Sequence, residues 1–204
     1  MASIYDLKSK FQQLLQPICA WLYCLNFTPN AITLIALLLS LIWGIFLWMH
    51  PAPSWPWLLL PLVMFSRMAL NALDGMMANQ FDLKSPFGAM LNEIGDGLSD
   101  VALYLPFIML EGATGLLAGA LVIGGLVVEI TGLSALLACG TRRFDGPMGK
   151  SDRAFLFGLV GLFYGLGWIN TQWWINSLFI LALVLIGLTA CNRVRNALRT
   201  DFIS

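Results

Sequence analysis

Residues 67–100 read RMALNALDGMMANQFDLKSPFGAMLNEIGDGLSD. Two apolar stretches flank the short polar connection around Asp82 and Lys84, and each carries acids: Asp74 in the first, and Glu93, Asp96 and Asp100 in the second. A carboxylate within hydrocarbon costs several kcal/mol unless it is paired, hydrated or metal-bound, so such acids are read first as functional. At about 100° per residue, Asn92, Glu93, Asp96 and Asp100 fall on one arc of a helix, and Asn71 and Asp74 share a face of the preceding one. A short connection makes the two helices antiparallel neighbours whose acidic faces can meet. Glu129, in a later apolar stretch, falls at a depth similar to Asp96 by the helical rise. Carboxylates gathered without basic partners would repel one another, and oxygen ligands of this kind suit Mg²⁺ or Mn²⁺. Gly75, Gly88, Gly95 and Gly97 either let a ligand approach the backbone or permit close helix packing.

Outward from this stretch the chain is apolar throughout. Of 204 residues, 59% are hydrophobic and 11% charged. Soluble domains carry about 25% charged residues, so lipid is expected to cover part of this surface. The fold class expected is all-α integral membrane, with six spans: Ala31–Met49, Trp57–Ala78, Pro86–Leu110, Ala113–Cys139, Ala154–Trp168 and Trp174–Asn192. In residues 1–26, Ile4, Leu7, Phe11, Leu14, Leu15, Ile18 and Leu22 recur at helical spacing among polar residues. This fits an N-terminal interfacial amphipathic helix, or else a helix packed on protein. Residues 27–204 form the six-helix domain. No cleavable signal peptide is expected.

Lys8, Lys10, Lys84, Arg142, Arg143, Lys150, Arg153, Arg193, Arg195 and Arg199 all fall on one side of this layout, while the connections near His50, Glu111 and Asn170 hold no basic residue. Both termini are therefore expected in the cytoplasm. Trp55, Trp57, Trp168, Trp173 and Trp174 sit at boundaries on the opposite side, as interfacial aromatics do. Arg67 is the exception, placed within a span, where it faces the acidic cavity or pairs with a carboxylate. A zero net charge gives no electrostatic reason to expect nucleic acid. One histidine excludes His-based metal sites, and four scattered cysteines read as reduced thiols.

Asn71-Ala-Leu-Asp74-Gly75-Met-Met-Ala78-Asn79, eight residues, then Gly88-Ala-Met-Leu-Asn92-Glu-Ile-Gly-Asp96 resembles the signature of the CDP-alcohol phosphotransferases, D-x2-D-G-x2-A-R-x8-G-x3-D-x3-D. Thr28-Pro29-Asn30-Ala-Ile32-Thr33 is similar to that family's TPNxIT element. Asn stands at 71 and 92 where the signature has Asp, and at 79 where it has Arg. The resemblance implies an inner-membrane phosphatidyltransferase that uses CDP-diacylglycerol, or a similar CDP-linked lipid, and a polar alcohol acceptor. It implies metal held by Asp74 and Asp96 with Asn71 and Asn92 as neutral ligands or hydrogen-bonding partners, and Asp100 and Glu129 are expected to replace the lost charge. Asp74, Gly75, Ala78, Asn79 and Gly88 would face the nucleotide. Asp96 would be the catalytic base. Arg142, Arg143, Lys150 and Arg153 would hold an anionic acceptor, or serve only as a topology signal touching anionic lipid. The site is expected to face the cytoplasm. A homodimer is expected from the family and from Gly119, Gly124 and Gly125, which serve internal packing equally well. Two other readings stand beside this one: an impaired relative that binds nucleotide or lipid, and a cation transporter. The transporter lacks acids continuing toward the outer side.

Overall fold

The computed structural model describes residues 4–168 and 172–200, with side chains described for 11–168 and 174–199. The connection at Asn170 and the side chains of Ile4, Leu7, Lys8, Lys10 and Trp173 lie outside the described residues. Among the described residues seven α-helices follow one another: α1 Ile4–Cys24, α2 Pro29–Met49, α3 Trp55–Gln80, α4 Pro86–Tyr104, α5 Gly115–Cys139, α6 Lys150–Gly165 and α7 Gln172–Thr200. A 3₁₀ turn, Leu105–Met109, extends α4. No strand occurs among the described residues.

Local chemistry sets the helix ends. Asn26 takes a left-handed φ of 61° and stops α1. Thr28 Oγ1 then accepts the Ala31 amide at 3.2 Å, with Pro29 as first helical residue of α2. Ser85 caps α4 in the same way, accepting the Gly88 amide at 3.0 Å ahead of Pro86. Gly140, at φ 72°, closes α5 with its amide on the Leu136 carbonyl. The Asp152 carboxylate accepts the Gly149 amide at 2.9 Å and starts α6 at Lys150, so Arg153 lies on the first turn of a helix, not in the loop before it.

Among the described residues, four helical stretches are long and apolar enough to cross a membrane: Pro29–Met49, Trp55–Gln80, Gly115–Cys139 and Trp174–Arg199. Only 28–39% of each is buried within the protein, which leaves broad apolar faces for lipid. The protein is thus a multi-pass membrane protein. The remaining two expected spans are present as helices but do not qualify by length and composition. The α4 helix carries Glu93, Asp96 and Asp100, and α6 has 16 residues.

The chain divides into two compact units, Met1–Ile42 with Leu62–Ser99 and Trp43–Pro61 with Asp100–Ser204. In the first, Leu15 and Cys19 of α1 bury against Ile32 of α2 and Leu73 and Met77 of α3, flanked by Phe11 and Leu22. Tyr23 stacks on Phe81 at 3.7 Å. Leu14, Ile18 and Trp21, on the other edge of α1, remain exposed, as does Leu25 in the turn after it. One apolar edge of α1 therefore packs on protein and another stays uncovered. In the second unit an aromatic group forms the core: Tyr104 stacks on Phe157 at 4.1 Å, and Trp57 meets Phe107 and Tyr164 edge-on at 5.1 Å. The two glycines in the middle of α5 serve packing within the chain. A Cβ at Gly124 would press on Ile186, and one at Gly125 on the Arg153 side chain.

Candidate functional site

In the first unit, the TPNxIT-like element and the α3–α4 stretch build one site. Asp74 is buried, and its carboxylate accepts the Thr33 hydroxyl at 2.7 Å. Asn30 lies beside Gly88, close enough that a Cβ there would stand 2.7 Å from Asn30 Oδ1. A cleft of about 230 Å³ opens among Asn30, Thr33, Asp74, Gly75, Ala78, Lys84, Gly88 and Asn92. The glycines play different parts. Gly88 is required by the close approach of Asn30 and Ser85, whereas a Cβ on Gly75 would meet nothing within 4 Å. Tight packing therefore does not account for Gly75, and its missing side chain leaves the cleft open.

Asn92 Oδ1 is buried and accepts no hydrogen bond among the described residues. An orphaned buried acceptor costs about 1–3 kcal/mol, so it calls for a partner. The donors on offer in this cleft are an amide oxygen from Asn92 and the carboxylate of Asp74, a hard oxygen set that fits a divalent cation such as Mg²⁺ or Mn²⁺. Among the described residues, no three acidic, histidine or cysteine side chains cluster as metal ligands would, so any cation must also draw on neutral oxygens.

Asp96 has a different environment. The Asn71 amide nitrogen donates to its Oδ1 at 2.5 Å, and Arg67 Nη2 stands 3.5 Å from the same oxygen. Arg67 also donates to the Asp96 carbonyl at 3.1 Å, and only 4% of its surface is exposed. Arg67 thus pairs with a carboxylate inside the apolar segment, one of the two roles open to it from sequence. Asn79 is exposed and turns its amide back to the Gly75 carbonyl at 2.6 Å. It borders a second, more open cleft of about 660 Å³, lined by Gln12, Gln16, Asn71, Gly75 and Gln80.

Asp100 and Glu129 belong to the second unit, and both meet Arg153. Its Nη2 lies 3.2 Å from Asp100 Oδ2 and 2.9 Å from Glu129 Oε1, with 1% of the side chain exposed. Glu129 is also reached by Arg142 at 3.4 Å and Arg193 at 3.7 Å. The expectation that these two acids lack basic partners, and so make good the lost aspartates at a metal, meets a cluster in which three guanidinium groups surround two carboxylates. A Cβ on Gly132 would fall 2.9 Å from Arg193 Nη1, so this glycine makes room for the guanidinium, which donates to the Val128 carbonyl at 2.5 Å. Burial and the neighbouring Arg193 lower the Arg142 pKa from its ordinary value, and Arg142 also lies over the Phe144 ring at 5.0 Å. Arg143 donates to the Asn196 carbonyl at 3.0 Å, and Lys150 opens α6 half-buried. Of the four basic residues expected to meet an acceptor, Arg153 is thus committed to ion pairs within the protein. Glu129→Gln is expected to lower stability by about 1–3 kcal/mol, through the arginines it leaves short of charge, and to leave any Mn²⁺ binding at the Asp74 cleft unchanged. Thermal melting and a metal titration on the same preparation check both halves.

Sequence reasoning missed Thr33, Asn30 and Arg193. The signal for the first two was in hand, because a TPNxIT-like element beside an acidic span offers a cap and a hydroxyl. Nothing in the sequence marks Arg193 as inward-facing.

Residues 26–186 match the model of the CDP-alcohol phosphatidyltransferase family. The chain is 46% identical over 198 residues to the inner membrane protein YnbA of Escherichia coli K12, covering 96% of each. It is 33% identical over 102 residues to an uncharacterised protein of Aquifex aeolicus, covering 50% of this chain and 47% of that one. Its fold is similar to that of Mycobacterium tuberculosis phosphatidylinositol phosphate synthase, PgsA1, solved with CDP-DAG bound (TM-score 0.70, 19% identity, 91% of this chain and 94% of that one). The same synthase in complex with manganese and citrate superposes with a TM-score of 0.69, at 19% identity and covering 89% and 87%.

Proposed function

We propose, since the chain belongs to the CDP-alcohol phosphatidyltransferase family, that it transfers the phosphatidyl group of CDP-diacylglycerol, or a similar CDP-linked lipid, to a polar alcohol with release of CMP. The observation that carries this reading is the cleft in which Asp74, the unpartnered Asn92 oxygen and the bare backbone at Gly75 converge. In it, Gly75, Ala78 and Gly88 admit the nucleotide and pyrophosphate to the helix surface, with Asn79 assigned to the nucleotide from the neighbouring cleft that shares Gly75. Asp74 and Asn92 would hold a divalent cation, with Asp96 and Asn71 beside them. When bound, Mg²⁺ or Mn²⁺ neutralises pyrophosphate charge and favours departure of CMP.

Asp96 acts as the base. It takes the proton of the acceptor hydroxyl as that oxygen forms its bond to the β-phosphorus, and the bond from the β-phosphorus to the CMP oxygen breaks. Asn71 and Arg67 hold the Asp96 side chain in one orientation for that transfer. Arg142, Arg143 and Lys150 are assigned to an anionic group on the acceptor, and Arg153, with Asp100 and Glu129, to keeping that cluster in place. The cytoplasmic placement of both termini and of the site, six spans in the bacterial inner membrane, an interfacial α1 presenting Leu14, Ile18 and Trp21 to lipid, and a homodimer complete the proposal.

Purified protein given CDP-diacylglycerol, Mn²⁺ and a panel of glycerol phosphate, inositol phosphate, serine and other polyols should release CMP only when one acceptor is present. The asparagines at 71, 79 and 92 favour a second reading, a relative that binds the CDP-lipid without turning it over. Tight CDP-diacylglycerol binding with no CMP release under any acceptor would select it. Gly75→Leu is expected to weaken CDP-diacylglycerol binding by tenfold or more. Its melting temperature should be unchanged or raised, because the side chain enters open cleft and leucine favours helix by about 0.8 kcal/mol over glycine. Unaltered lipid binding in that variant would place the nucleotide elsewhere.

A further inference from the structure

We infer that the α3–α4 cleft takes one divalent cation, not a pair, and that the buried Arg67 guanidinium occupies the place of a second positive charge. The inference rests on reading this cleft as the metal- and nucleotide-binding site. Two-cation sites for phosphoryl chemistry set the ions about 3.5–4 Å apart and need bridging carboxylates to offset their mutual repulsion. Here the two asparagines leave Asp74 and Asp96 as the acids of the signature, and no three-acid group forms among the described residues.

The two asparagines are oriented for different work. Asn92 presents a buried oxygen with no hydrogen-bond partner among the described residues, as a ligand waiting for a cation would. Asn71 turns its NH₂ toward Asp96, which makes it a donor at that oxygen and not a ligand beside it. The same Asp96 oxygen faces Arg67 Nη2 at 3.5 Å, and the guanidinium is anchored to the Asp96 carbonyl and closed off from solvent. A second divalent ion at Asp96 would have to displace a fixed cation and an amide donor together. Like charges at such range in a poorly screened site repel strongly. The guanidinium therefore supplies, as a permanent part of the chain, the charge that a second metal would bring. Arg67 is on this account a positioning residue for Asp96.

The test is Mn²⁺ stoichiometry on the full chain in detergent with CDP-diacylglycerol and no acceptor, by equilibrium dialysis and electron paramagnetic resonance. The wild-type protein should bind one Mn²⁺ per chain, with an uncoupled six-line spectrum. Asn71→Asp alone keeps the guanidinium and should stay at one. Arg67→Met with Asn71→Asp, which clears the guanidinium and adds a carboxylate, should bind two with spin–spin broadening. Two coupled ions in the wild-type protein or in Asn71→Asp would overturn the inference and leave the transferase reading standing. A folded double variant that stays at one ion would remove Arg67 from the role. No bound Mn²⁺ in the wild-type protein would overturn the inference and the metal reading of the cleft together.

Discussion

Asp96→Asn is expected to slow CMP release by about 10²–10⁴-fold while the protein still folds and still binds CDP-diacylglycerol. The substitution keeps the shape of the side chain and leaves Asn71 and Arg67 a carbonyl-type oxygen to donate to, but removes the group that takes the acceptor proton. Arg67 complicates the outcome, since a buried guanidinium loses its carboxylate. Breaking a buried pair on one side alone destabilises by about 3–5 kcal/mol. The double variant Arg67→Met/Asp96→Asn removes both charges and should recover stability without recovering turnover. Loss of rate in both, with melting temperatures that differ between them, separates chemistry from folding. A single variant that turns over at near the parental rate would dismiss Asp96 as the base.

Asp74→Asn is the second large effect. Thr33 can still donate to an amide oxygen, so the local hydrogen bond survives the change. What goes is the anionic oxygen of the cleft. Loss of about 3 kcal/mol of charge stabilisation corresponds to roughly 10²-fold in rate, and the Mn²⁺ concentration for half-maximal activity should rise with it. Steady-state CMP release measured across a Mn²⁺ titration reads both. Parental activity at parental metal levels would show that the cleft holds no catalytic cation.

These two residues also show how far the sequence could be read. Asp74 and Asp96 were legible because acids in an apolar stretch are costly, and because Gly75 and Gly88 stand at fixed distances from them. The first span was expected from Ala31, two residues inside the helix that starts at Pro29; Thr28 and Ser85 cap α2 and α4 by a local hydroxyl mechanism that the expectation did not use. The pairing of Arg67 with Asp96, by contrast, spans two helices. Helical periodicity gives the face on which a residue stands but not which residue of the next helix lies opposite.

The same limit explains Arg153. A cluster of basic residues after α5 reads as a cytoplasmic loop, and the Gly149 and Asp152 cap that draws Arg153 onto the first turn of α6 is easily passed over. Once there, its reach to Asp100 and Glu129 depends on the space left at Gly125, which is a matter of packing and not of pattern. The third expected span, Pro86–Leu110, is present as α4 followed by the 3₁₀ turn Leu105–Met109; the apolar pattern gives the extent of the span, and Pro106, which has no amide to donate into an α-helix, stands where the helix tightens.

The claim on which all of this depends is that oxygen atoms on α3 and α4 hold a divalent cation against the pyrophosphate of a CDP-linked lipid. Anomalous diffraction from crystals grown with Mn²⁺ and CDP-diacylglycerol tests it directly. A manganese peak in contact with the Asp74 carboxylate and Asn92 Oδ1, with Arg67 still on Asp96, is the result expected. A peak away from both residues, or none while the nucleotide is seen in the cleft, would contradict it.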